Sequence, residues 1–178
     1  MTDNQLVAAL IAAISAGLQA QAISVGIEQN YQPTQQGAPS APYVILHKIG
    51  DVKYGSPALA DVYNTETEVM THTETQIFET TYQVGAVAIQ NPANVNSLTA
   101  ADYVAAVSLA LNSQTAIIGL AAQGIGMLRI RAIRQTFFRD EKGLFEAAPS
   151  FDFTVSHTRQ IASVEPSTDS LVGTFNVN

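Results

Sequence analysis

The chain has 178 residues and a mass of 18.9 kDa, with 47% hydrophobic and 13% charged residues, 8 basic against 15 acidic side chains, and no cysteine or tryptophan. Size scaling gives roughly 8,000 Å² of surface for a compact monomer against roughly 27,000 Å² for the open chain, so about 70% can be buried and one domain can build a core without staples. Lack of Cys excludes disulfides, thiolate metal sites and thiol nucleophiles, the apolar content disfavours disorder, and a net charge of −7 argues against a module that clamps a phosphate backbone.

Thr2 and Gln5 have the spacing of a capping box, and Leu6, Leu10, Ile14 and Leu18 recur every four residues after it, so a helix is expected over roughly 4–20. The apolar run Leu6–Ala16 follows Asp3 rather than a cationic start, unlike a secretory signal. It is also too short to span a bilayer. We read it as the core helix of a soluble, cytoplasmically made protein. A β-like stretch covers 22–29, and the Gln- and Pro-rich segment 30–41 reads as an extended connection. Tyr43–Ile49 is a β-branched run between Pro42 and Gly50, a buried strand.

Residues 62–72 favour strand, with exposed charges at Glu66, Glu68 and Glu74. From 74 to 90 the alternation is clean, with Phe78, Thr80, Tyr82, Val84, Ala86 and Ala88 on one face. A strand over 62–90 is far longer than the usual five or six residues, so it should project beyond the domain. The turn signal Gly55-Ser56-Pro57 places the tip of a long β-hairpin arm near Gly55 to Asp61, with Tyr54, Gly55, Pro57 and Asp61 as arm residues. Thr99 as N-cap with Asp102 at N3 starts a helix ending near Asn112, and a shorter one covers about 114–122. Residues 125–138 then read as strand, 140–143 as a turn, and 151–164 as a strand with Phe151, Phe153, Val155 and Ile161 on one face.

Helices that do not alternate strictly with strands favour an α+β fold, a mainly antiparallel sheet packed by an N-terminal helix and a central helix pair. Residues 1–164 are expected to form a single domain and 165–178 a Ser/Thr/Asn-rich tail.

Chemistry is hard to find. His47, His72 and His157 lie on three predicted strands without close ligand spacing, so they read as polar strand residues rather than metal ligands. Ser150 lacks the G-x-S-x-G elbow of a nucleophile. Gly124 and Gly126 begin a G-x-G pattern, but Arg129 stands where a third glycine belongs and a strand follows where a dinucleotide site needs a helix. The acids Asp140-Glu141, Glu146 and Asp152 show no partner that would tune a pKa. Neither an enzyme nor a cofactor site is expected.

One asymmetry remains: Arg129, Arg131, Arg134, Arg139 and Lys142 fall within one strand-turn unit. The plainer reading is an arginine face that pairs with Glu66, Glu68, Glu74 and Glu79 on a neighbouring strand or subunit. The sharper one is a basic ring facing DNA, from which a more positive net charge would be expected. The charged fraction is also about half the usual quarter of a soluble domain, which suggests a surface turned toward other protein.

The segments YQPTQQG (31–37), HKIGD (47–51) with YG (54–55), HTETQ (72–76), QNPAN (90–94), LTAAD (98–102), GIGMLRI (124–130) and FEAAPSFDF (145–153), in that order, resemble the neck or tail-terminator type proteins of contractile-tailed phages, also termed gateway or tail completion proteins. The similarity runs over about 5–164. It implies a subunit of a ring, commonly a hexamer, at the head–tail junction, in contact with head connector or collar proteins and with tail tube or sheath proteins. Genomic DNA passes through the bore of such a ring without sequence-specific binding. No catalytic residue, cofactor or membrane partner comes with the resemblance. The contact assignments rest on this sequence alone: Arg129, Arg131, Arg134, Glu66, Glu68 and Glu74 at a subunit interface or the bore, and the 51–75 hairpin and 30–42 loop reaching onto neighbours. Deleting 55–61 is expected to weaken assembly and leave the subunit folded. Two other hypotheses stand beside the ring: a monomeric ligand-binding α+β module, which requires an apolar pocket with convergent polar groups, and an enzyme, which requires a perturbed-pKa cluster in a cleft.

Overall fold

A computed structural model describes residues 1–29, 42–88, 93–130, 132–139 and 145–166. The N-terminal helix α1 spans Asp3–Ala20. Its capping box is formed as the sequence predicts, with the Thr2 amide donating to Gln5 Oε1 (2.8 Å) and the Gln5 amide to Thr2 Oγ1 (3.3 Å). It ends where Ala22 turns left-handed (φ 57°) and the Ile23 amide reaches back to the Leu18 carbonyl, a Schellman-type stop. Strand β1 (Gly26–Gln29) is shorter than the stretch expected over 22–29; residues 30–41 lie outside the described residues. Strands β2 (Tyr43–Asn64) and β3 (Val69–Val87) follow. Helix α2 (Ala100–Leu111) starts on the Thr99/Asp102 box, with the Thr99 amide donating to Asp102 Oδ2 at 2.8 Å. Helix α3 (Gln114–Ala121) ends at Gly124, whose φ of 75° suits a residue without Cβ. The G-x-G pattern is thus a helix stop. The chain continues as β4 (Gly126–Ile130), β5 (Arg134–Arg139) and β6 (Phe145–Pro166).

The six strands form one sheet in the order β1-β2-β3-β6-β4, with β5 beside β4 on the same edge of β6. Only β1–β2 is parallel. The α+β class with a mainly antiparallel sheet is therefore as expected, while the strand expected over 125–138 is two strands. Helix α2 lies on β3 and β6, and α1 lies on α2 and α3. Leu6, Leu10, Ile14 and Leu18 of α1, Val104, Val107 and Leu111 of α2, Val44, Leu46, Tyr82, Val84, Phe151, Phe153 and Val155 form one buried cluster. Gly17 lets α1 approach α2 closely: a Cβ there would sit 2.3 Å from Ala110 Cβ.

Beyond this core, β2, β3 and the end of β6 run on together as an arm. The hairpin is present, but its tip is at Thr65–Glu68, not at 55–61. The Asn64 side chain accepts from the amides of Glu66 (2.9 Å) and Thr67 (3.3 Å), and Glu68 takes a φ of 54°. Asx turns of this kind compete well with strand. Glu66 and Glu68 therefore sit in a turn rather than on the strand expected over 62–72. The Gly55-Ser56-Pro57 signal is instead a bulge inside β2, where the register jumps between Tyr54 and Ala58. Gly55 (φ 70°) and Pro57, which has no N–H to pair, fit a bulge as readily as a turn. Strand β6 continues to Pro166, past the boundary expected at 164, and 167–178 lies outside the described residues.

Candidate assembly interface

The arm is rooted in a compact network of polar groups contributed by α1, β2, β3 and β6. Lys48 Nζ bridges Asp51 (2.6 Å) and Asp3 (3.1 Å), and Arg159 pairs with Asp3 and lies 3.8 Å from Asp51. The Thr80 hydroxyl donates to Asp51 Oδ1 (2.6 Å). Its one proton is then spent, so His157 Nε2, 2.9 Å away, is the donor to Thr80 Oγ1. His157 stacks on Phe78, and the Arg159 guanidinium lies 4.8 Å from the centre of the same ring, within cation–π range. The terminal amine of Met1 donates to the Thr158 carbonyl at 3.1 Å. Burial pushes the Asp51 carboxyl up, but hydrogen bonds from Lys48 and Thr80 and the charges of Lys48 and Arg159 outweigh it, and the group sits below its ordinary value. Burial, and then the Arg159 charge, hold His157 below its ordinary 6.5.

Farther out, Gln76 Nε2 donates to the carbonyls of Tyr54 (2.8 Å) and Gly55 (3.2 Å), tying the bulge to β3. Next along the same face, His72 Nδ1 bonds Asp61 while its Nε2 lies 3.8 Å from Glu74. The hydrogen bond to Asp61 and that carboxylate's charge raise the His72 pKa, against a little desolvation, with Glu74 and Glu165 adding to the rise. The His72 ring is therefore expected to titrate above 6.5 by NMR, and Asp61→Asn to move its midpoint down. An unmoved midpoint would mean that Asp61 does not hold the imidazolium.

The two faces of the arm differ in kind. Cross-strand partners share a face, so the registers assemble rows. One face carries Asp61, His72 and Ser163 in one row and Leu59, Glu74 and Ile161 in another. The other carries Tyr54, Ile77 and Thr158, then Ala58, Thr75 and Gln160, then Ala60, Thr73 and Ala162, then Val62, Thr71 and Val164, with no charge in any of these rows. Ten of the exposed large hydrophobics lie on the arm: Ile49, Val52, Tyr54, Leu59, Val62, Tyr63, Met70, Ile77, Ile161 and Val164. Exposed apolar surface concentrated in this way marks interaction sites. Ile161 does share the face of Phe151, Phe153 and Val155, but it lies beyond the core and is 72% exposed.

Within one chain, Arg129 and Arg134 lie across β6 from Glu66, Glu68 and Glu74, on a different edge of the sheet. Arg134 on β5 pairs with Asp152 of β6 (2.8 Å), an acid that also accepts from Gln83 (3.1 Å). Within the chain this replaces the expected pairing of arginines with Glu66, Glu68, Glu74 and Glu79, because β6 stands between β3 and the β4/β5 edge. Arg129 lies on β4 opposite Thr154; Arg131 and the 140–143 turn lie outside the described residues. Tyr54, Gly55, Pro57 and Asp61 all belong to the arm, in its middle. The root network of Asp3, Asp51, Thr80, His157 and Arg159 escaped the sequence reading. Thr80 and His157 are in phase with the core-facing residues of their strands, which is the one local signal of their burial.

A groove of about 490 Å³ runs between α1 and the α2/α3 unit, walled mainly by Ala9, Ala13, Ala16, Gly17, Ala116 and Gly119. It is apolar, as a ligand module requires, but the Gln21 amide in its wall is engaged with the carbonyls of Gly17 (3.0 Å) and Ala106 (3.1 Å). Among the described residues, no three His, Asp or Glu side chains are placed to hold a metal ion. No single helix there is long and apolar enough to cross a membrane, and the α2–α3 pair that passes by length and composition is bent by 57°.

A compact α+β core that holds out a long strand arm, uncharged on one face from the Tyr54 row to the Val62 row, has the exposed strand edges through which a chain pairs with other chains. A family model described as E217 gateway protein gp29 matches residues 5–167, and the chain belongs to that family of phage gateway, or neck, proteins. No curated protein matches the chain in sequence.

Proposed function

We propose that the protein is a structural subunit of a ring at the phage head–tail junction, joining the head connector to the tail and leaving a bore through which the genome passes. The arm carries this reading. It is too exposed and too apolar for a free monomer, and it belongs to a gateway-family chain. A closed ring repeats one head-to-tail interface by rotation, so each copy needs two different surfaces, and a homohexamer is the expected form. The partners are a second copy of this chain, connector or collar proteins on one side and tail tube or sheath proteins on the other. The arm's charge balance suits passage of DNA: Asp61, Glu66, Glu68, Glu74, Glu79 and Glu165 outnumber Lys53 and Arg159. Carboxylates repel phosphates within a Debye length of about 8 Å at physiological salt, so the duplex slides rather than sticks. The charge of Arg134 is paired within the chain by Asp152, which supports the reading of a bore that does not hold DNA.

Native mass spectrometry of the purified chain is expected to show a cyclic oligomer without added cofactor. A stable monomer at high concentration, with no binding to connector or tail proteins, would overturn the proposal.

A further inference from the structure

The arm has two open strand edges, and their directions restrict how copies can meet. Among the described residues, β2 is paired on its outer side only where β1 meets Tyr43–Leu46. Strand β6 is paired on its outer side only from Phe145 to Ser156. The distal parts of both edges, Ala58–Asn64 and Gln160–Glu165, contain no Lys or Arg and lie between the guards that flank them, the Gly55–Pro57 bulge of β2 and Pro166 of β6, with one carboxylate each, Asp61 and Glu165; exposed edges without lysine are open to pairing with another strand. Each is antiparallel to β3, so β2 and β6 run in the same direction, from core to tip.

We propose that successive copies of this chain join by parallel pairing of the outer edge of β2 in one copy with the outer edge of β6 in the next, all arms pointing the same way. The inference rests on the ring reading above and specifies its seam. Two unlike edges are the two surfaces that head-to-tail closure needs. A two-fold contact instead pairs β2 with β2, or β6 with β6, in antiparallel fashion and points the arms in opposite directions. The occupant is a second copy because the faces then match across the seam. The uncharged row of Ala60, Thr73 and Ala162 continues into the same row of the neighbour, as does the row of Val62, Thr71 and Val164. The side bearing Asp61, His72 and Glu74 remains continuous on the opposite surface. Each copy adds three strands, so six copies give a closed sheet of roughly 18, in the class of barrels wide enough to leave an open channel.

A chain without cysteine allows a direct test. Ala60→Cys is combined in turn with Thr158→Cys, Gln160→Cys, Ala162→Cys or Val164→Cys, all exposed positions on one face of the arm. Inside one chain β3 separates the two cysteines by about 9–10 Å, beyond the roughly 7 Å between Cα atoms that a disulfide tolerates. Every disulfide therefore reports a contact between copies. On mild oxidation of the native assembly, at least one double variant is expected to give a ladder of linked oligomers on a denaturing gel, ending at the copy number of the ring. Ala60→Cys alone and Ala162→Cys alone are expected to stay monomeric on that gel. If native mass shows the ring and none of the four pairs forms a ladder, the seam is wrong and the ring stands. Dimers from a single-cysteine variant overturn the parallel seam in favour of a two-fold contact, and a monomer by native mass overturns ring and seam together.

Discussion

Replacing residues 61–72 by Asn-Gly, so that the cross-strand pair Ala60 and Thr73 is joined by a tight turn, is expected to yield a folded subunit that no longer assembles. The removed segment lies outside the buried core: every residue of 61–68 is exposed, and none of 69–72 is buried. Its loss should move the thermal midpoint by less than about 4 °C, the upper end of the shift that roughly 1 kcal/mol produces in a domain of about 150–250 residues. Native mass and sedimentation should report a monomer where the full-length chain gives an oligomer. Persistence of the ring would place the subunit contacts elsewhere on the domain. Removing 61–72 frees only Ser163–Pro166 at the end of β6, whereas the deletion suggested by the sequence, 55–61, takes out the bulge and mid-strand of β2 and disturbs the pairing of the whole distal half of β3.

The largest expected loss of stability follows Phe153→Ala. Phe153 is fully buried, stands opposite Tyr82 in the β3–β6 register, stacks on that ring at 5.6 Å and lies 6.1 Å from Phe151. Truncating a buried Phe costs about 3–5 kcal/mol, a large part of the 5–15 kcal/mol that holds a typical domain together. The urea midpoint should fall accordingly with an unchanged slope; a loss below about 1 kcal/mol would mean that the site collapses around the missing ring. Unlike arm truncation, this variant weakens the subunit itself, so the two separate folding from assembly.

What the sequence disclosed was decided within a few residues. Thr2 with Gln5, and Thr99 with Asp102, close their boxes locally, and both helices begin where those pairs place them. The alternation from Thr80 to Ala86 reports a real buried face for the same reason. What stayed hidden depended on which strands become neighbours. Gly55-Ser56-Pro57 carries the same local signal whether the chain reverses or bulges, and only the Asn64 turn farther on, together with Gln76 on the opposite strand, decides for a bulge. Arg134 meets Asp152 rather than a glutamate of the arm because β6, the last strand in the sequence, lies between β3 and the β4/β5 edge. The root network joins Asp3 to Arg159 across almost the whole chain, and no short window contains both. The family resemblance captured what spacing alone did not, since joint motif order carries information about the whole fold. The gateway-family match over residues 5–167 bears out the gateway, or neck, part of that resemblance.

The continuous pairing of β3 with β6, from Val69–Pro166 at the tip to Gly85–Ser150 in the core, has a mechanical meaning. A pull along the arm loads those hydrogen bonds side by side, in shear, so many must yield at once, whereas a pull that peels one strand away breaks them in sequence. Such an arm is stiff along its length and weak against lateral peeling. A load applied along the arm would thus be shared by the whole Val69–Pro166 to Gly85–Ser150 ladder, which lets a domain of marginal equilibrium stability carry force without unravelling.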